Sequence, residues 1–546
     1  MDCKVFKRGD LIIVNGVNKM VIEEIVILNG NVITMNDKIP KCRAVFVKDG
    51  KIECIGSDED IKKKIGKKTK VLNVKGKTVL PGFKECHMHF SEFVKSLSKV
   101  DLRDCTSIKE IKEKLKENTE KKIIVGMSFD NERFVEERMP NRKDLDEVSD
   151  GIPIIIYRVD LHVCVVNSKA LELLGIDKTS KPFKRGAIEK FSNGEPNGIF
   201  KENAVNMAVK LEQKFQSKEF KNNLIKASEV AFKYGLTSVS DLLVDWNMLK
   251  TYRELEKQGK IKIHINTYMI DECLEDEKRL IEELSQGKFV KLCGIKFLLD
   301  GSLGSKTAAL LEGYSDNPKN FGITRMSYDE LESKVIKADQ LGLQISLHAI
   351  GDKGASYALE VLSKTKRRKQ LRHRIEHLQV LNENLINKMK NLDIIAVVQP
   401  IFINTDYPWV ENRLGQKRLR YAYTLKTLLN KGIKVAGSSD CPVESMNPFW
   451  GMYCAVSQRD LEGNSFPEWV KKERVTMKQA LTLFTTEAAY AAYENSGKLV
   501  PGAVADLIIL PEDPFKITLD KLKNMESLLT IVNGRIVYAK KDIFYK

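Results

Sequence analysis

Residues 327–352 read SYDELESKVIKADQLGLQISLHAIGD. The part SYDELESKVIKADQLG spaces its apolar residues as an amphipathic helix does. The part QISLHAIGD is a short apolar strand that carries His348 near its end. The same pattern extends in both directions. Upstream strand patterns are TSVSDLL (237–243), KIHINTYM (262–269) and GIKFLLDG (294–301); downstream ones are RIEHLQ (374–379), IIAVVQP (394–400) and VAGSSD (435–440). A second helical pattern, EFKNNLIKASEVAFKYG, precedes the first of them. Strands alternating with helices predict a parallel sheet. FKECHMHF (83–90) raises the number of strands to eight. Eight such units predict an α/β fold of the TIM (β/α)8 barrel type, with its chemistry at the carboxyl ends of the strands.

The flanks differ. LIIV-NG-VNKMVI (11–22) predicts a hairpin, because Asn15-Gly16 suits a type I′ turn. EEIVILNGNVITM, RAVFVKDGKIECIG and TKVLNVKGKTVLPG continue in short strands, and ADLIILPEDP with SLLTIVNGRIVYAKKDIFYK repeats the style at the other end. One small β-sandwich built from residues 1–80 and 495–546 is expected, since two separate β pieces would leave sheet edges bare. The barrel would occupy 81–494. Residues of about 95–215 are left over between the first and second strands, with a helix pattern (SIKEIKEKLKENTEKK) and strands (KIIVGMSFD, PIIIYRVDLHVCVVNS) of their own. An insertion in a strand-to-helix loop of a barrel lies on the active-site face, so a lid is expected.

The 546 residues are 42% hydrophobic and 30% charged, a globular balance that excludes a mostly disordered chain. No apolar run reaches the ~18 residues of a membrane span. The Leu11–Val14 block is too short for a signal peptide, so a cytoplasmic location is expected. The net charge of +16 comes from lysines scattered among acids. The densest run, Lys364–Arg374 (KTKRRKQLRHR), has no interleaved aromatics; it reads as a solvated helix end, and no nucleic-acid partner is expected. Ten cysteines without a C-x-x-C pair read as reduced thiols.

Seven histidines allow each to be weighed. His87-Met88-His89 ends the first strand, and alternate strand residues share a face, so both imidazoles point to one spot. Alone they could be packing. His348 ends the fifth strand, His377 the sixth and Asp440 the eighth. Imidazoles and a carboxylate converging at strand ends are ligands for Zn²⁺ or a similar divalent ion. Lys296, in the fourth strand, is either a snorkelling lysine or a neutral amine able to take up carbon dioxide as a metal-bridging carbamate. His264 reads as a barrel or surface residue and His373, in the basic run, as solvated.

PGFKECHMH, IKFLLDGSLGSKTAALLEGY, LHAIGDKG, HRIEHLQ, VVQPIFINTDYPWVENRLGQKR, AGSSDCPVESMNP and KLVPGAVADLIIL resemble the amidohydrolase superfamily of metal-dependent hydrolases. The nearer likeness is to its N-substituted formamide deformylase-like branch, and it runs from about residue 25 to the C-terminus. The resemblance implies that His87, His89 and Asp440 bind one metal, with Lys296 bridging to a second held by His348 and His377. It implies that Asp440 takes a proton from metal-activated water and passes it to the leaving nitrogen. His162, Asp300, Asp406, Trp409 and Arg413 are candidate substrate contacts. Near His162 the family has Gly where this chain has Leu161, which bears on loop geometry. Cys86 and Cys441 flank ligands and read as packing.

The resulting expectation is hydrolysis of a C–N bond, an amide or N-substituted formamide, in a small-molecule substrate. The alternatives are a cyclic amidine deaminase of the same superfamily, which typically uses one metal and no bridging lysine, and a non-catalytic scaffold, which would have lost ligands. A barrel of this size often forms a homodimer.

Overall fold

The structure is a computed structural model and describes residues 24–158, 163–180, 186–202 and 204–540. The expected hairpin around Asn15-Gly16, and His162 with Leu161, lie outside the described residues. Two compact units divide the chain, Phe90–Glu229 and the remainder.

The larger unit contains the eight expected strands: β1 (Phe83–Met88), β2 (Leu236–Val244), β3 (His264–Ile270), β4 (Val290–Leu298), β5 (Gln344–Ala349), β6 (Arg374–His377), β7 (Ile395–Val398) and β8 (Val435–Gly437). They are hydrogen-bonded in that order, every pairing parallel. Past the last ladder, Asp440 N donates to His87 O at 2.8 Å and His89 N to Cys441 O at 2.7 Å. These two bonds join the ends of β8 and β1 and bring the sheet close to a full barrel. The register sets Lys296 beside Ser346, Ser346 beside Arg374, and His348 beside Glu376. Functional side chains of three strands therefore occupy neighbouring levels.

The strands flanking the barrel form two further sheets. One runs Lys51–Gly56, Ala44–Lys48, Ile25–Leu28, Lys70–Asn73; the other runs Arg535–Ala539, Leu529–Val532, Leu507–Leu510, Thr78–Pro81, Asn31–Ile33, Lys41–Cys42. Ile25, Ile27 and Val45 from the first share one buried cluster with Val79, Leu507 and Ile531 from the second. Ile25–Leu28 is apolar at every position because its other face, Val26 and Leu28, packs on Phe46 and Ile61. Asp49-Gly50 and Asn533-Gly534 link adjacent strands with positive φ at both residues (52° and 76°, 50° and 74°). That is the type I′ requirement, and it explains why Asp-Gly and Asn-Gly stand there.

The Phe90–Glu229 unit has its own six-stranded sheet, in the order Gly186–Lys190, Pro196–Glu202, Val163–Val166, Ile154–Arg158, Ile124–Phe129, Val100–Asp101. Alternation along Ile154–Arg158 serves two cores: Ile154 and Ile156 pack with helix Ile108–Lys116, and Ile155 and Tyr157 with Leu171 and Phe200. Among the described residues no helix is long and apolar enough to cross a membrane.

The basic run departs from expectation. Lys364 is exposed, but His373 and Arg374 are fully buried. His373 Nδ1 accepts from Ile345 N at 3.2 Å, which leaves Nε2–H to donate to Asp339 at 3.0 Å. This histidine is a structural clamp between β5 and helix Tyr328–Leu341, because the chain re-enters the barrel one residue before the run ends.

Candidate metal centre

At the carboxyl end of β1, His87 Nε2 and His89 Nε2 each lie 3.2 Å from Asp440 Oδ1. Ligand atoms of these three residues all fall within 4.8 Å of one another. The His377 ring is 4.8 Å from that of His87 and 4.5 Å from that of His348. Two of these residues need unusual backbone. His377 has φ 76° and Asp440 φ 59°, in the left-handed region that side-chain-bearing residues rarely adopt. Such backbone concentrates at functional sites. The turn at His377 also lets consecutive residues, Glu376 and His377, serve one centre, which plain strand alternation forbids.

The protons can be placed by their partners. His87 Nδ1 lies 2.8 Å from the Glu376 carboxylate and His89 Nδ1 3.1 Å from the Leu242 carbonyl. His377 Nδ1 lies 2.8 Å from Gln399 Oε1. The Gln399 amide cannot be reversed: its NH2 donates to Ser438 Oγ, whose own hydrogen goes to Val398 O. All three imidazoles therefore carry hydrogen on Nδ1 and keep a lone pair on Nε2. His348 is opposite. Its Nε2 faces Gly301 O at 3.1 Å and Asp300 at 3.3 Å, so its lone pair is on Nδ1.

This assignment leaves three acceptors, His87 Nε2, His89 Nε2 and Asp440 Oδ1, crowded together with no hydrogen between them. Asp440 Oδ1 is buried and has no donor among the described residues. Such a cluster needs a positive charge at its centre: a cation, or an added proton. Burial pulls the His87 pKa down, and burial with the neighbouring His348 and His87 pulls His377 well down. Both are neutral imidazoles, the metal-binding form. An added proton would sit on His89: burial works against it, but hydrogen bonding and charge from Asp440 prevail and raise the His89 pKa. With that proton present, the histidines hold the Asp440 carboxyl well below the usual carboxylate range although burial opposes its charge.

Lys296 is 1% exposed and its Nζ has no hydrogen-bond partner among the described residues. Burial lowers its pKa to about 8, against the pull of Glu376 and Asp440. An amine so placed gives up its proton more easily than an exposed lysine, and an orphaned buried amine beside an acceptor cluster fits a group awaiting a ligand or a modification. The donor set of four imidazoles, a carboxylate and this lysine fits a divalent ion.

Among the candidate substrate contacts, Asp300 is buried, and its carboxylate accepts from the backbone N–H groups of Ala309 (3.0 Å), Ile350 (3.0 Å) and Gly351 (2.8 Å). It holds the loop after β4 and orients His348. Asp406 accepts from Tyr423 (2.6 Å) and from Gln379 (3.1 Å), two residues beyond His377; burial pushes its carboxyl up to about 6. Trp409 packs with Leu303, Tyr314 and Leu414, and Arg413 pairs with Asp316. These two residues join the loop after β4 rather than the histidines. A cavity of about 50 Å³ opens beside His377, bordered by Gln399, Tyr423, Thr424 and Trp469. Cys86 and Cys441 are buried packing thiols, as expected.

Sequence reasoning missed Glu85, Arg374, Glu376 and Gln399. Glu85 Oε1 receives His87 N (2.9 Å) and Ser439 N (3.1 Å), clasping the ends of β1 and β8. The available signal was alternation in Arg374-Ile375-Glu376, two charges on one face of a strand that ends in a candidate ligand.

The amidohydrolase family model matches residues 70–538. Bacillus subtilis YtcJ is 30% identical over 523 residues, 94% of this chain and 98% of that protein. The N-substituted formamide deformylase of Arthrobacter pascens is 24% identical over 545 residues, 95% of this chain and 98% of that protein. A solved structure, an uncharacterised metal-dependent hydrolase from Pyrococcus furiosus, is 31% identical with a TM-score of 0.78, covering 90% of this chain and 100% of that one. The family match runs through every strand that carries a candidate ligand, and the chain belongs to the amidohydrolase family.

Proposed function

We propose that the protein is a metal-dependent hydrolase that breaks the C–N bond of an amide or N-substituted formamide. The observation that carries this reading is the acceptor cluster of His87, His89 and Asp440, without hydrogens of its own, beside the orphaned Lys296 amine. The formamide class also draws support from the likeness to the Arthrobacter enzyme. Zn²⁺ is the proposed ion: His87, His89 and Asp440 would hold one, and His348 and His377 would hold a second, with Lys296, carboxylated, as a ligand shared between them. Bound there, a divalent ion lowers the pKa of water and polarises a carbonyl.

The residues supply the proton traffic. Asp440 takes a proton from the attacking water as its oxygen adds to the carbonyl carbon. Asp440 then gives that proton to the leaving nitrogen as the C–N bond breaks, releasing an amine and a carboxylic acid, which loses its remaining proton to solvent. A buried carboxylate with an oxygen that no described donor occupies suits the accepting step. Lys296 favours this reading over the deaminase, and retention of all six ligand positions favours it over a scaffold.

The flanking sheets are proposed as one β-sandwich domain formed by residues 1–80 and 495–546, around the barrel of 81–494. The inserted segment, which leaves the barrel directly after His89, is proposed as a lid. A cytoplasmic location, a small-molecule substrate, possession of neither a nucleic-acid nor a membrane partner, and homodimerisation complete the reading. The test is metal analysis of purified protein together with hydrolysis assays on an N-alkylformamide and simple amide panel. About two ions per chain and amine release are expected; a metal-free protein, or ammonia release from ring amidines only, would overturn it.

A further inference from the structure

The four imidazoles are not anchored alike. His377 rests on an amide, His89 on a backbone carbonyl, His348 on a backbone carbonyl at 3.1 Å with the Asp300 carboxylate farther off at 3.3 Å, and His87 alone on a carboxylate that is itself charge-paired, at 2.8 Å. That carboxylate, Glu376, is fully buried. Arg374 Nε donates to its Oε1 at 2.6 Å and Ser346 Oγ to the same atom at 2.7 Å, while Oε2 faces His87. Arg374 is fully buried as well, donating to Cys86 O at 2.7 Å and Tyr268 OH at 3.1 Å. Its guanidinium also lies over the Tyr268 ring at 4.5 Å. The assembly ties β1, β3, β5 and β6 across the barrel interior. Burying an ion pair costs desolvation that an apolar pair of the same volume avoids, so stability is a poor reason for it. A carboxylate behind a metal-binding imidazole fixes the tautomer and strengthens its donor nitrogen, which an amide does less well.

We propose that Glu376, held by Arg374, is a positioning residue that fixes His87 with hydrogen on Nδ1 and makes the His87/His89/Asp440 half of the centre retain its ion more tightly than the His348/His377 half. The inference rests on the metal-centre reading above. It predicts stepwise metal loss, with the His87 half emptied last.

The test is titration of chelator-treated protein with Co²⁺ alone, followed by its visible absorption in competition with a chelator. Wild type should show a tight and a weaker step. In Glu376→Gln the tight step should weaken by about 10–100-fold while the weak step barely moves. Glu376→Asp should recover part of the loss, and the neutral pair Arg374→Met/Glu376→Gln should repeat it if the single variant folds poorly. An unchanged tight step in a folded variant would overturn the proposal, as would equal weakening of both steps. Absence of any Co²⁺ step in wild type would instead remove the metal-centre reading itself.

Discussion

The two ends of the barrel bury comparable polar clusters and treat them oppositely. At the amino end, Lys84 of β1 donates to Asp506 (2.8 Å), Glu494 (3.0 Å) and Thr237 (2.9 Å). Asn266 donates to Glu494 at 2.8 Å, and His264 lies 3.5 Å from Asp506. The lysine has full company. At the carboxyl end, three residues along the same strand from Lys84, His87 faces an acceptor cluster with no hydrogen inside it, and Lys296 has no hydrogen-bond partner among the described residues. A buried lysine whose hydrogens are all taken by its own neighbours holds structure together; one left without them waits for something from outside. Two buried lysines in one barrel thus have different work, and only their partners tell them apart.

The largest expected effect breaks the incomplete end. Asp440→Asn should lower kcat/KM by about 10³-fold or more, since on the proposed reading a proton acceptor and a ligand go together, while the melting temperature hardly moves. Steady-state kinetics beside calorimetry would check it. Swapping the treatment of the lysines sharpens the contrast. Lys84→Met strands two buried carboxylates and should cost about 3–5 kcal/mol in denaturant unfolding, leaving metal stoichiometry per folded chain unchanged. Lys296→Met should leave stability nearly intact and remove metal.

Acid titration separates the ends further. Burial opposes the charges of Glu494 and Asp506, yet Lys84 holds both pKa values below their usual range. Depressed carboxylates stabilise above their unfolded pKa and lose that contribution as pH falls through the folded value. Stability of the wild type should therefore decline below pH 4.5, the upper of the two ordinary values, 4.5 and 3.8. In Lys84→Met that acid decline should be much shallower. Equal acid slopes in the two proteins would contradict the network. The smallest effect is expected at His373: replacement by Ala should cost about 1–3 kcal/mol by leaving the Ile345 amide unsatisfied and Asp339 with only its Lys366 and Arg367 backbone donors, with metal content unchanged.

The barrel was legible because each strand is a short apolar run and the candidate ligands stand at strand ends, where His87, His348, His377 and Asp440 announce themselves. The anchoring layer was not. Arg374 and Glu376 look like surface charges until the barrel closes around them, and their partners Cys86, Tyr268 and Ser346 are distant in sequence. His373 was hidden by the basic residues before it, since a run of charges reports solvent only as far as the chain stays outside. The Lys84 network joins positions more than four hundred residues apart, a pairing that no local pattern encodes.

The central claim is that the carboxyl-end cluster is completed by a cation. Anomalous diffraction at the zinc edge from crystals grown with Zn²⁺ tests it directly. The account predicts a peak within bonding distance of His87 Nε2, His89 Nε2 and Asp440, a second beside His348 Nδ1 and His377 Nε2, and added density on Lys296 Nζ between them. No peak at the His87 cluster, with Asp440 and the imidazoles paired by protons instead, would contradict it.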